Sequence, residues 1–439
     1  MSASELHERL TRQLRTAQSE QRLPSVVASV FRKGEILWQD AVGHADVEDG
    51  RVASPDTQYR IGSITKTFTA VLVLQLRDAG ELSLDDPLTA HIPESAHAPT
   101  LGRMLAHVSG LQREPPGEIW ESLRAPSREE LVAGTAEAEQ LLAEGSWWHY
   151  SNLAYALLGE VVARRTGGSW EEALQERILE PLGLRRTTAD AEEPVAVGYW
   201  VEPWTDAVRP ERDVDFGGSG ALGKLWSTVR DLAVWGSFLV EGDDRVLAAA
   251  TLEEMAHVRA MVAHDTWRLA WGTGLELYRS GEHLFVGHGG AMPGHLAGLA
   301  VNRSTGIGAA ALTNASAGGD PETLALELAK TAIEALPEEP ERWVPGAAAP
   351  PEIAPLLGSW WLEGREVVFG WHKGRLQARV VGGTPGRDTS FFEPERDDLY
   401  RCVEGRERGE LLRVVREADG AVRKLYFATY PLFREPRAF

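Results

Sequence analysis

Thr57-Gln58-Tyr59-Arg60-Ile61-Gly62-Ser63-Ile64-Thr65-Lys66-Thr67-Phe68-Thr69-Ala70 joins a hydroxyl to an amine at one helical spacing. Residues Thr67 to Arg77 are apolar with helical periodicity, and Gly80 suits a C-terminal cap. A helix is therefore expected to begin beside Ser63. A serine in the first turn of a helix has an unpaired backbone N–H and sits at the positive end of the dipole. A residue three positions later returns to the same face, so the Lys66 amine reaches the Ser63 hydroxyl. A desolvated lysine so placed can take the serine's proton or stabilise a neighbouring phenolate. The chain has six lysines, and only Lys66 has a serine three residues before it. Taken alone, the tetrapeptide also fits an N-capping serine beside a surface lysine, so its surroundings have to decide.

Upstream, Ser2 with Glu5 matches a capping box, and Leu6, Leu10 and Leu14 form one apolar stripe of an amphipathic helix. Val26–Phe31 reads as a strand, followed by a turn through Arg32–Glu35 and a second strand at Ile36–Trp38. From Gly80 to about residue 265 the pattern is helices and loops. Strands return at Gly274–Tyr278, Leu284–Val286, Ala297–Val301 and Ile307–Leu312, and a helix follows from about Pro321 to Ala335. One sheet built from both ends of this region, with the helical middle as an inserted lobe, accounts for the order and leaves a cleft. Residues 337–352 are rich in Pro, Ala and Glu and read as a linker. Beyond it the period becomes two: Leu376, Ala378 and Val380 alternate, as do Leu412 and Val414, and Asp419-Gly420 signals a hairpin. The expected organisation is a catalytic domain over 1–336, the linker, and a small antiparallel β domain over 353–439.

The chain has 439 residues and a formal net charge of −20. An acidic surface of that size disfavours nucleic acid and anionic membrane as partners. With a single cysteine, Cys402, no intrachain disulfide or Cys-based metal site can form; Cys402 reads as a strand residue in a reducing compartment. The N-terminus lacks a basic segment leading into an apolar run, and no stretch approaches the ~18 apolar residues of a membrane span. A cytoplasmic protein is expected.

Four further segments follow the first in order: Leu105-Ala106-His107-Val108-Ser109-Gly110-Leu111, Tyr150-Ser151-Asn152, Gly217 to Leu232 with Ser227-Thr228, and Gly287-His288-Gly289-Gly290. Together with Ser63-Ile64-Thr65-Lys66 they resemble the motifs of the serine β-lactamase-like, penicillin-binding superfamily, which includes class C β-lactamases, esterases and D-aminopeptidases. The resemblance covers about residues 20 to 335. It implies an α+β fold, a β-lactamase-like α/β sandwich with an antiparallel sheet and a helical lobe. It also implies hydrolysis of a small ester or amide through an acyl-serine, without metal or cofactor. Carried over, Ser63 is the nucleophile, and Tyr150 beside Lys66 relays protons, with the first acceptor left open between them. A phenol titrating near pH 10 needs cationic neighbours for this. Asn152 would bond Lys66 and the acyl group, and the N–H groups of Ser63 and Ala291, after Gly290, would form the oxyanion hole. His288 departs from the lysine of the usual K-T-G triad. A largely neutral imidazole there weakens recognition of a β-lactam carboxylate and favours neutral esters or amides. His107 reads as structural, Trp147 and Trp148 as pocket wall or core, and residues 112–146 and 190–216 as specificity loops.

Gly218-Ser219-Gly220-Ala221-Leu222-Gly223 satisfies G-x-G-x-x-G, but Leu225 stands where a P-loop needs Ser or Thr, and no buried strand precedes it. His283, His288 and His295 fit no metal-ligand spacing. Esterase activity is the favoured reading, with D-aminopeptidase or D,D-peptidase-like amide hydrolysis as the alternative. A catalytically silent scaffold is the non-enzyme alternative, yet a scaffold has no need for Ser63, Lys66, Tyr150 and Asn152 together.

Overall fold

Val26-Val27-Ala28-Ser29-Val30-Phe31 has almost no polar alternation because both faces of its strand are covered. The computed structural model describes residues 2–337, 342–384 and 388–437. Within the first of two compact units, Met1–Glu338, the strands of the main sheet are β1 (Ser25–Arg32), β2 (Glu35–Asp46), β3 (Arg51–Val52), β4 (Ala260–Met261), β5 (Leu269–Trp271), β6 (Glu276–Ser280), β7 (His283–Met292), β8 (His295–Asn302) and β9 (Ile307–Thr313). Among the described residues they form one sheet in the order β3-β2-β1-β9-β8-β7-β6-β5-β4. Every pairing is antiparallel, and the two ends of the unit meet where Val26 pairs with Thr313. The sheet assembled from both ends of the region is thus present, and β2 runs well beyond the three residues expected at Ile36–Trp38.

One face is closed by helices α1 (Ala3–Glu20) and the last of the unit, Pro321–Ala335, through Leu10, Leu14, Leu324 and Leu328 against Val26, Ala28 and Val30. Each fully buried leucine contributes about 1.5–3 kcal/mol relative to leaving it exposed. The capping box at Ser2 and Glu5 is formed, with each side chain bonded to the other residue's backbone N–H. The opposite face takes Val27, Phe31, Ala310 and Leu312 against Val229–Glu241, where a Cβ at Gly236 would lie 2.5 Å from Phe31. Beyond that helix lies the lobe built on α2 (Thr65–Asp78) and α3 (Asn152–Thr166).

Among its described residues, the second unit, Glu339–Phe439, is an eight-stranded antiparallel meander in sequence order. Its first and last strands meet at Trp361 and Phe433, which exchange backbone hydrogen bonds of 2.7 and 3.1 Å. Trp360, Phe369, Leu376, Phe392, Cys402 and Leu412 fill its core. Gly420 supplies the positive φ of the Asp419-Gly420 hairpin. Of the expected linker, residues 338–341 lie outside the described residues, and 342–350 carry no helix or strand. Among the described residues no helix is long and apolar enough to cross a membrane.

Candidate active site

Ser63 lies on a 3₁₀ turn, Gly62–Ile64, that runs directly into α2. Gly62 has φ +49, and a Cβ there would lie 2.7 Å from the Ala291 nitrogen. On the other side of the same contact, a Cβ at Gly290 would overlap the Ile61 carbonyl. Only glycine lets the two backbones approach this closely, and the outcome is that Ser63 and Ala291 sit side by side.

Lys66 is fully buried, with Nζ 3.0 Å from Ser63 Oγ and donating to the Leu222 carbonyl at 2.6 Å. Burial pulls its pKa down to about 7, Glu114 opposes that shift, Arg113 reinforces it, and Glu276 opposes it again. The Tyr150 ring has Lys66 Nζ 5.0 Å and the Arg113 guanidinium 4.9 Å from its centroid. Burial nevertheless pushes the phenol above its ordinary pKa, with the polar contact to Ser63 acting against the rise. His107 is buried as expected and has a defined task. Its Nδ1 accepts the Ser151 N–H at 3.0 Å and its ring stacks on Tyr150 at 4.3 Å. Burial holds it well below its ordinary pKa, so the neutral acceptor persists.

Asn152 departs from expectation. Its Nδ2 donates to Glu114 Oε1 at 2.8 Å, and Lys66 turns instead to the Leu222 carbonyl. The amide N–H goes to a carboxylate, a strong acceptor, while Asn152 Oδ1, the atom that would accept from Lys66, is buried with no hydrogen-bond partner among the described residues. His288 is 1% exposed, and burial, then Lys66, lower its pKa to about 3. Its Nδ1 lies 2.5 Å from the Gly289 carbonyl and 3.7 Å from Glu276 Oε1.

Ser63, Tyr150, Asn152, His288, Gly290 and Ala291 all line one cleft of about 930 Å³. Lys66 is in contact with Ser63 beneath it. The two expected specificity loops contribute Arg113, Glu114, Trp120, Glu121 and Leu123 from one and Glu211 from the other. Trp147 and Trp148 are not part of this wall. Trp148 packs on His107 and Trp271, and both tryptophans border a separate groove. The glycine-rich 218–223 stretch is used for packing: a Cβ at Gly218 would lie 2.5 Å from the Arg128 nitrogen, and the Leu222 carbonyl holds Lys66. His295 stands edge-on to Tyr59 and Trp226, and no group of three or more His, Cys, Asp or Glu among the described residues is arranged around a metal position. Glu114, Glu276 and the Leu222 carbonyl were not singled out from the sequence, because none belongs to a local spacing pattern.

Residues 8–333 match the model of the family described as Beta-lactamase. The chain belongs to the Beta-lactamase family. Residues 349–434 match a family described as a domain of unknown function, DUF7586. Penicillin-binding protein 4 of Amycolatopsis lactamdurans is 31% identical over 371 residues, covering 79% of this chain and 95% of that protein. Esterase EstB of Burkholderia gladioli is 37% identical over 213 residues, 44% of this chain and 54% of its own length. Among solved structures, a D-stereospecific amidohydrolase from Streptomyces sp. superposes with TM-score 0.63 at 27% identity, covering 72% of this chain and 97% of that one. The β-lactamase-like fold is thus shared, with a second, antiparallel β unit following it.

The Gly62–Gly290 contact gives a direct test. Gly290→Ala must drive the Ile61 carbonyl, and Ser63 with it, off β7. Urea denaturation should register a loss of about 1–3 kcal/mol, the usual cost of overpacking a closed contact.

Proposed function

We propose that the protein is a serine hydrolase that cleaves small, uncharged carboxylic esters through an acyl-serine at Ser63. The observation that carries this reading is the buried Lys66 amine 3.0 Å from Ser63 Oγ, at the floor of an open cleft. An amine with a pKa of about 7 is substantially unprotonated at neutral pH, whereas the phenol of Tyr150, raised above its ordinary value, is not ionised. Lys66 is therefore the first proton acceptor. Ser63 Oγ attacks the substrate carbonyl as its proton passes to Lys66, and the oxyanion is met by the N–H groups of Ser63 and Ala291. A donor in that position is typically worth ~10²–10³ in rate. Tyr150 gives its proton to the departing alkoxide and recovers one from the Lys66 ammonium. Water then enters, and the same groups act in reverse to release the acid.

The neutral His288 supports uncharged substrates, since it supplies no cation for a carboxylate. Similarity to an esterase points the same way. Amide hydrolysis is the second reading. It is favoured by Glu114, Glu121, Glu211 and Asp320 in the cleft wall, which suit a substrate ammonium such as that of a D-amino-acid amide. Similarity to the D-stereospecific amidohydrolase agrees with it.

A panel of nitrophenyl esters, D-amino-acid anilides and nitrocefin, run beside fluorophosphonate labelling, tests the assignment. The esters should turn over fastest, and Ser63→Ala should lose both turnover and label; a protein that stays unlabelled in its wild-type form is not a serine hydrolase. For the proton acceptor the sign is fixed: the free amine grows as pH rises through about 7. The kcat/KM profile should therefore fall below pH 7 by about tenfold per unit, and Lys66→Arg, permanently charged, should lose about 10²–10⁴-fold. His288→Lys, paired with Glu276, should improve kcat/KM for nitrocefin about tenfold, the equivalent of ~1.4 kcal/mol, at the expense of neutral esters.

A further inference from the structure

Beside the segment from His288 to Ala291, in the wall of the same cleft, lie two carboxyl groups that the reaction as described does not use. Glu276 begins β6 and stands opposite Gly287 of β7. Glu322 lies in the first turn of the helix Pro321–Ala335. The Tyr278 hydroxyl bonds to both, reaching Oε2 of Glu276 and Oε1 of Glu322. Glu276 Oε2 also accepts the Gly289 N–H at 3.2 Å, and its Oε1 is 3.7 Å from His288 Nδ1. The Glu322 carboxyl fills the space that a side chain at position 289 would need, which explains the glycine there.

Two ionised carboxylates gathered on one phenol oxygen, with a single proton between them, repel each other, so closure of this cluster favours one carboxyl keeping its proton. The side chain of Glu276 is only 13% exposed. Burial, then the Glu322 charge, hold Glu276 above the carboxylate range, against the Gly289 N–H and Lys66. Burial and Asp320 raise Glu322. The two titrate as one unit. The groups facing it are Tyr278 on β6, His288 on β7, Asp320 at the helix start, and Lys66 and Tyr150 across the site.

We propose that Glu276 is a positioning residue: clasped to Glu322 through the Tyr278 hydroxyl, it fixes the Gly289 amide and the His288 ring, and thereby holds the Ala291 corner of β7 against the Ser63 turn. This rests on the acyl-transfer reading, in which the Ala291 N–H receives the oxyanion. Loss of the shared proton places two negative charges in one poorly hydrated site, and the clasp loosens. Turnover therefore declines on the alkaline side, while substrate affinity, set chiefly by the rest of the cleft wall, changes little.

The experiment compares wild type, Glu276→Gln, Glu276→Ala and Glu322→Gln by nitrophenyl-ester kinetics across pH and by infrared spectroscopy, with thermal unfolding as the folding control. Glu276→Gln keeps an acceptor for Gly289 but cannot ionise. Its kcat near neutrality should stay within about threefold of wild type and its alkaline decline should vanish, whereas Glu276→Ala should lose about 10–100-fold in kcat with KM nearly unchanged. Glu322→Gln should also flatten the alkaline limb. The wild-type-minus-Glu276→Gln infrared difference at neutral pH should contain a protonated-carboxyl stretch, because Glu322 ionises once its partner is neutral. An alkaline limb identical in wild type and Glu276→Gln, wild-type kcat in a folded Glu276→Ala protein, or an absent carboxyl band would each overturn the clasp. A band without any ester turnover or Ser63 labelling in wild type would instead remove the hydrolase reading and leave the carboxyl pair standing.

Discussion

A primary amine held out of water beside a hydroxyl is the constraint to which the rest of the first unit answers. Between pH 7 and lysine's ordinary pKa, the unfolded chain binds a proton at Lys66 that the folded chain does not. By linkage this lowers stability at neutral pH by roughly a few kcal/mol and is relieved as pH rises through that window. Such a cost is borne only where the surroundings are fixed by other means. Here they are α2 and α3, whose packing buries Lys66 against Tyr155, and the Leu222 carbonyl, which gives the amine one directed hydrogen bond. In the proposed reaction, the same burial that costs stability supplies the base at neutral pH.

The second constraint is geometric. Ser63 belongs to the helical lobe and Ala291 to the sheet, so their spacing depends on how those two layers meet. Gly62 and Gly290 remove every side-chain atom from the junction, and backbone touches backbone. β7 is itself flanked by β6 and β8, and the sheet is packed on both faces, so the strand has little freedom to drift. A site spanning two layers thus acquires the rigidity of one.

What was legible in the sequence was whatever depends on neighbours a few residues away. The capping box at Ser2 and Glu5, the strand at Val26–Phe31, the helix from Pro321 to Ala335 and the three-residue step from Ser63 to Lys66 are all local patterns, and each has a structural counterpart. Antiparallel assembly from both ends of the region was readable because the strands cluster there. The choices made between distant groups were not readable. The carboxylate that accepts the Asn152 amide N–H comes from a loop 38 residues earlier. Trp147 and Trp148 precede Tyr150 directly, yet their direction is set by His107, Trp271 and His264. Glu276 and Glu322 are 46 residues apart and ordinary in composition; only the pairing of β6 with β7, and the seating of a helix over Gly298, brings them together.

The electrostatics of the cleft follow from the same burial. A lysine at position 288 would face Lys66 across a site with little water, and two nearby ammonium groups would depress each other's pKa values. A neutral imidazole avoids that repulsion and leaves Lys66 without a cationic neighbour from position 288. The consequence for recognition is directional: with His288 uncharged and Glu114, Glu121, Glu211 and Asp320 around the opening, Arg113 is the cation available to a substrate carboxylate among the lining residues. It is itself drawn towards Glu114 at 3.6 Å and lies over the Tyr150 ring. Under the proposed reaction, a buried neutral ring in place of a fixed cation would shift which molecules the cleft admits without moving Ser63, Lys66 or the strand that faces them.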